Sequence, residues 1–158
     1  MSDIDDFLHA AVTALPVGDG VVLLDSFSEH NPDFFDQVIE LFGATAERHV
    51  RAEAKLGPKR RGALRALEVE GVRVLGGSAF DAEHARASHR VGFAMAPILA
   101  KDGRSGLLVV QIETASRRSA VAVDHWVLMR KDARGAWQRA PIPAPTRDAL
   151  YLTEETGG

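Results

Sequence analysis

The stretch VAVDHWVLMRK, Val121 to Lys131, alternates with period two, so that Val121, Val123, His125, Val127 and Met129 share one face. That is the pattern of a strand with its apolar row turned inward. "SRRS" before it and "DARG" after it read as turns, so the chain enters and leaves a long strand through tight connections. His125 interrupts the apolar row. An imidazole there can be a hydrogen-bonded core residue, a ligand contact or an acid–base catalyst, because its ordinary pKa is ~6.5.

The neighbouring segments repeat the pattern. "LLVVQIETA" carries Leu108, Val110, Ile112 and Thr114 on its more apolar face, and "ARASHRVGFAMAPIL" alternates Ala87, His89, Val91, Phe93 and Met95 against polar or small residues. "KDGRSG" is a turn with Asp-Gly chemistry, and "AWQRAPI" continues the chain beyond the last turn. Upstream, "ALRALEVEGVRVLGG" shifts from Leu67 and Val69 to Val72 and Val74, a one-residue slip that predicts a β-bulge at Gly71. "FDAEHA" reads as a loop or turn, and "VLGGSAF" as a strand exit.

The first third reads as helical. Ser2 with Asp5 forms a capping-box-like start, Ile4, Phe7, Leu8, Ala11 and Leu15 follow on one helical face, and Pro16 stops the run. "VVLLDSF", Val21 to Phe27, is a strand or a buried connector. A second helix is predicted from Asn31 to about Leu56, with Phe34, Phe35, Val38, Leu41, Phe42 and His49 on its stripe and "GPKRRG" at its end. Helices followed by long strands with tight turns give an α+β class: N-terminal helices packed on one face of a curved antiparallel sheet. The expected organisation is one domain over residues 1–142 and a proline-containing, partly mobile tail over 143–158.

Composition bounds the function. The 158 residues are 46% hydrophobic, enough for a core without staples, and contain no cysteine, which excludes disulfides, thiolate nucleophiles and cysteine–metal sites. Net charge is −3, which gives no global field for nucleic acid, and "KLGPKRRGALR" reads as a solvated basic loop. No apolar run approaches the ~20 residues of a membrane span. The acidic start MSDIDDFLHA is unlike a secretory signal, so a cytoplasmic location is expected.

The final hairpin, "VDHWVLMRKD" followed by "GAWQRAPI", resembles that of the nuclear transport factor 2-like superfamily, also called the ketosteroid-isomerase-like or cystatin-like fold. The resemblance covers roughly residues 33 to 142. It implies N-terminal helices set into the concave face of a strongly bent, cone-shaped sheet, with a cavity between them. The apolar "VVLL" before the long helix departs from that family, which is usually helical there. The family includes isomerases, dehydratases and cyclases as well as modules without chemistry, so it does not fix function. Its isomerases use a cavity aspartate with an oxyanion-hole tyrosine. The only tyrosine here is Tyr151, in the tail, which argues against that design.

His49, His89 and His125 are all expected to point inward, with Phe93 and Met129 beside them, as the walls of an apolar pocket for a small ligand. The leading expectation is a non-catalytic binding or assembly module. The alternative is a cofactor-independent acid–base enzyme with His125 as proton carrier, His89 positioning substrate and His49 behind them. No metal and no cofactor are expected. In particular, His84-x4-His89 read as one strand would put the two rings on opposite faces. Gln111 and Glu113 share a face with Leu107 and Val109, as Asp124 does with Trp126 and Leu128. If that face is the convex side, Trp126 and Leu128 form a patch for a homodimer.

Overall fold

The computed structural model describes residues 3–18, 20–27, 64–95, 97–99 and 103–141. The helix expected at Asn31 to Leu56, His49 with it, and the tail at 143–158 lie outside these residues. The described chain is α+β, with two helices and a mixed, open sheet of seven strands. In chain order these are α1 (Asp3–Thr13), β1 (Val21–Leu24), β2 (Val72–Leu75), α2 (Gly77–His84), β3 (His89–Ala94), β4 (Ile98–Leu99), β5 (Ser105–Ala115), β6 (Ala120–Lys131) and β7 (Trp137–Arg139). The sheet order is β2-β1-β3-β5-β6-β7, and β4 extends the β3 side of β5. Neither helix is long and apolar enough to cross a membrane.

The antiparallel part follows the alternation. β5 and β6 pair from Ser105↔Arg130 to Ala115↔Ala120, and β7 adds to β6 through the Asp132–Gly135 turn, where Asp132 Oδ1 accepts from the amides of Arg134 and Ala136. The remainder departs from a simple meander. β1 lies between β2 and β3 and is parallel to both. Parallel strands need a long crossover, usually helical. α2 is that crossover from β2 to β3, where the sequence suggested a loop and a strand exit. The strand expected around Gly71 is also shorter: β2 begins at Val72, and Gly71 sits in the preceding turn at φ +82, its carbonyl accepting from Val21 N at 2.9 Å. The positive φ is present, but as a turn and not a bulge.

The two helices cover opposite faces. On one, α1 lays Phe7, Leu8, Ala11 and Val12 on Leu23, Leu108, Val110, Val127 and Met129. Gly106 permits the closest approach, since a Cβ there would stand 2.5 Å from the Phe7 ring. Arg90 ties the α1–β1 connection to the sheet by donating to the carbonyls of Pro16, Val17 and Gly20. On the other face, Phe80 of α2 packs on Val22 and Val91, flanked by Leu24, Leu75 and Phe93. Alternation along β1, with Val21 and Leu23 on one side and Val22 on the other, serves both layers. Helices on one face only were expected; both faces are covered.

The patch expected to support a homodimer is not exposed. Trp126 is 4% exposed and Leu128 1%, so neither offers a surface to a partner. Beside them, Gln111 Nε2 donates to Asp124 Oδ1 across the β5–β6 pair.

Candidate functional site

Strand register decides which polar side chains meet. Val91 pairs with Glu113 and Phe93 with Gln111, so His89, Phe93, Gln111 and Glu113 share the α2 face. Ala94 pairs with Val110, and Val110 with His125, so His125 and Met129 lie on the α1 face. The sheet therefore separates the two histidines expected to share a pocket, and Phe93 from Met129.

What it brings together is His89 with two residues that the pocket expectation left out. α2 ends at His84, the turn through Ala85 closes on Asp81 O and Glu83 O, and β3 starts at His89. The five-residue separation thus spans a helix end and a strand start, not one strand, and the two rings converge. Their centroids are 5.1 Å apart, nearly perpendicular. Both Nε2 atoms approach the same oxygen, Glu113 Oε2, at 2.7 Å from His84 and 2.9 Å from His89. His89 Nδ1 lies 2.8 Å from Arg86 O. A carbonyl only accepts, so Nδ1 carries the hydrogen. The ring of His84 packs tilted against Phe80 and edge-on against Phe93, at 5.8 and 5.6 Å between centroids.

The electrostatics follow. The hydrogen bond to Arg86 O, aided by the Glu113 carboxylate, raises the His89 pKa against the opposing cost of burial. The same histidines, His89 first and then His84, lower that of Glu113. The site is graded in exposure: the His89 side chain is 10% exposed, Glu113 29% and His84 41%, so it opens on the His84 side.

His89 also lines a solvent-open groove of about 400 Å³ at the end of the sheet where β1, β2 and β3 begin. Val21, Val22 and Val72 supply its apolar wall, and Arg73, Arg86 and Arg90 its cations. Glu83 Oε1 stands 3.7 Å from Arg73 Nη1, and Oε2 3.4 Å from Arg86 Nη1. Arg90 also lines the groove, but its guanidinium is turned to the carbonyls of Pro16, Val17 and Gly20. Glu83 is therefore the one carboxylate of the lining and stands between the two guanidinium groups of Arg73 and Arg86.

His125 is partly buried, and its pKa is lowered, first by burial and then by the cations of Arg90 and Arg139. Asp25 at the end of β1 is the buried acid of the described residues. Arg65 Nε donates to its Oδ2 at 2.5 Å and Ser26 Oγ to its Oδ1 at 3.0 Å, and the Arg65 bond holds its pKa low.

His84 lies at a helix end whose sequence reads as a loop or turn, and Glu113 on a sheet face that alternation alone leaves open as exposed or covered. Only the four-residue spacing of Phe80 and His84 hints at a helical face. No family model, curated protein or solved structure matches this chain, so the site is read on its own geometry.

Proposed function

We propose that this chain is a non-catalytic binding module for a small organic anion, held in the groove at the start of β1, β2 and β3. The observation that carries the reading is the charge imbalance of the rim, where Arg73 and Arg86, both largely exposed, share Glu83 as their one carboxylate. Guanidinium groups recognise carboxylate and phosphate with directed, charge-assisted bonds. The valines beside them suit an apolar body, and of the residues expected to wall a pocket only His89 lines this groove. A kinship with the nuclear transport factor 2-like superfamily is consistent with the antiparallel β3–β5–β6–β7 run, while the parallel β1 and β2 depart from it.

Calorimetric titration with butyrate and with inorganic phosphate tests the reading. Wild type should bind at least one of them, more weakly as salt rises. Arg73→Glu combined with Arg86→Glu should weaken binding at least about tenfold, since two favourable charges become repulsive. Both side chains are largely exposed, so the variant should fold. Binding of neither anion, or equal binding by the variant, overturns the groove as the ligand site.

A further inference from the structure

We infer that His84, His89 and Glu113 together form a binding site for one divalent transition cation of the zinc class. The inference rests on the positions of three donor atoms and goes beyond the groove reading, with which it shares only His89.

One donor atom from each of His84, His89 and Glu113 lies within 4.8 Å of the other two, and both Nε2 atoms approach Glu113 Oε2. A tetrahedral ion with arms of ~2.0–2.1 Å needs its donors about 3.3–3.4 Å apart. The nitrogen–oxygen separations are now 2.7 and 2.9 Å. Opening them by about half an ångström is within small side-chain torsions. An ion then replaces the hydrogens that now bridge each ring to the carboxylate.

The surrounding bonds fit the same use. A metal-bound histidine ordinarily donates its other ring hydrogen to a carbonyl or carboxylate, which fixes the tautomer and aims the free nitrogen at the ion. His89 does this through Nδ1 to Arg86 O. That carbonyl belongs to the turn joining the two ligand-bearing elements, so one short segment sets both rings. Phe80 and Phe93 flank His84 and limit its rotation. Glu113 comes from β5, anchored on both sides by β3 and β6. The donors thus stand on a helix end and two strands of a rigid sheet.

The donor set selects the class of ion. Two imidazoles and one carboxylate suit zinc, cobalt, nickel or ferrous iron, whereas magnesium and calcium take oxygen donors. Three protein donors leave a fourth position, the arrangement of an open site rather than a closed structural one. Its open direction is the exposed side of His84.

The test is calorimetric titration of the metal-free full chain with Zn²⁺ and Co²⁺ in phosphate-free buffer, with ring NMR signals of the histidines followed in parallel. One Zn²⁺ per chain should bind, and Mg²⁺ should not compete at equal concentration. The rings of His84 and His89 should shift while that of His125 stays in place. His84→Ala and Glu113→Gln should each weaken Zn²⁺ binding at least about tenfold, and His125→Phe should bind like wild type. Should His84→Ala fail to fold, the wild-type ring signals and the visible spectrum of bound Co²⁺ still decide. Zn²⁺ binding weaker than about 1 mM, undiminished binding by folded His84→Ala and Glu113→Gln, or shifts confined to other histidines would overturn the inference. Butyrate or phosphate binding to the metal-free His84→Ala chain should be unchanged, so failure of the metal site and failure of the groove are separable.

Discussion

On one face of the sheet α1 closes over a wide apolar layer in which Phe7, Leu8, Leu108, Val110 and Val127 are all buried. On the other, Phe80 of α2 packs on Val22 and Val91, and Leu107, Val109, Trp126 and Leu128 are buried farther along β5 and β6. Ionisable groups gather between the end of α2 and the β3–β5 pair. His125 belongs to the first face and His89 to the second. Burial and two arginines disfavour the charged form of His125, while Arg86 O and Glu113 favour the charged form of His89. The same residue type, in one sheet, receives opposite treatment because His125 has no hydrogen-bond partner among the described residues to offset burial, whereas Arg86 O and Glu113 stand against His89.

The largest expected effect breaks or confirms that division by weight of packing. Phe7→Ala removes a fully buried ring from the centre of the α1 layer and should destabilise by ~3–5 kcal/mol in urea unfolding. Phe80→Ala empties a smaller cluster beside an open groove, which can relax, and should cost less, about 1–3 kcal/mol. Equal costs would mean that the two layers contribute alike and that the contrast drawn between them is mistaken.

A middle-sized effect is expected where the chain passes to the α2 face. Gly76 precedes α2, and a Cβ there would stand 2.3 Å from Asp25 Oδ2. Gly76→Ala must therefore push the carboxylate away from Arg65. A cost of ~1–3 kcal/mol at neutral pH is expected from crowding and a disturbed buried acid. The native Asp25 pKa lies below its ordinary 3.8, so the stability it contributes is present above about that pH and is lost as pH falls through the native value. The gap between wild type and variant should narrow on acidification below pH 4. A gap that stays constant down to pH 3 would show that Asp25 is not the group displaced.

These effects also mark how far sequence reaches. α1, β5 and β6 were legible because long periodic runs end in proline or turn residues, as at Pro16 and "DARG". α2 was not: it has eight residues, only Phe80 buried, no side-chain cap at Gly76, and Gly77 at φ +55. Every local sign there reads as a loop, and the helix exists because parallel β2 and β3 require a crossover. The place of β1 between them was equally hidden, since parallel pairing leaves no turn signature. Alternation tells which residues of a strand share a face, but not how many faces are covered, and Trp126 with Leu128 was misjudged for that reason. The His84–Glu113–His89 site needs the crossover and the β3–β5 register together, and neither is a local property.

The smallest effect isolates His125. No hydrogen bond reaches its ring among the described residues, so His125→Phe removes a burial cost without orphaning a partner and should be nearly neutral at pH 8. With the native pKa below the ordinary 6.5, both states are uncharged above that value and the native state has its full stability. As pH falls below 6.5 the unfolded chain binds the proton first, and the wild type loses stability until the native pKa is passed. The phenylalanine variant has no such proton to bind. Its stability relative to wild type should therefore rise between pH 7.5 and 5. Taking the difference between the two proteins cancels His89, Asp25 and every other titrating group they share. Urea midpoints at matched pH values supply the measurement. A variant that instead loses ground on acidification would mean that His125 is stabilised by its charge, as His89 is, and the distinction between the two faces would not extend to their histidines.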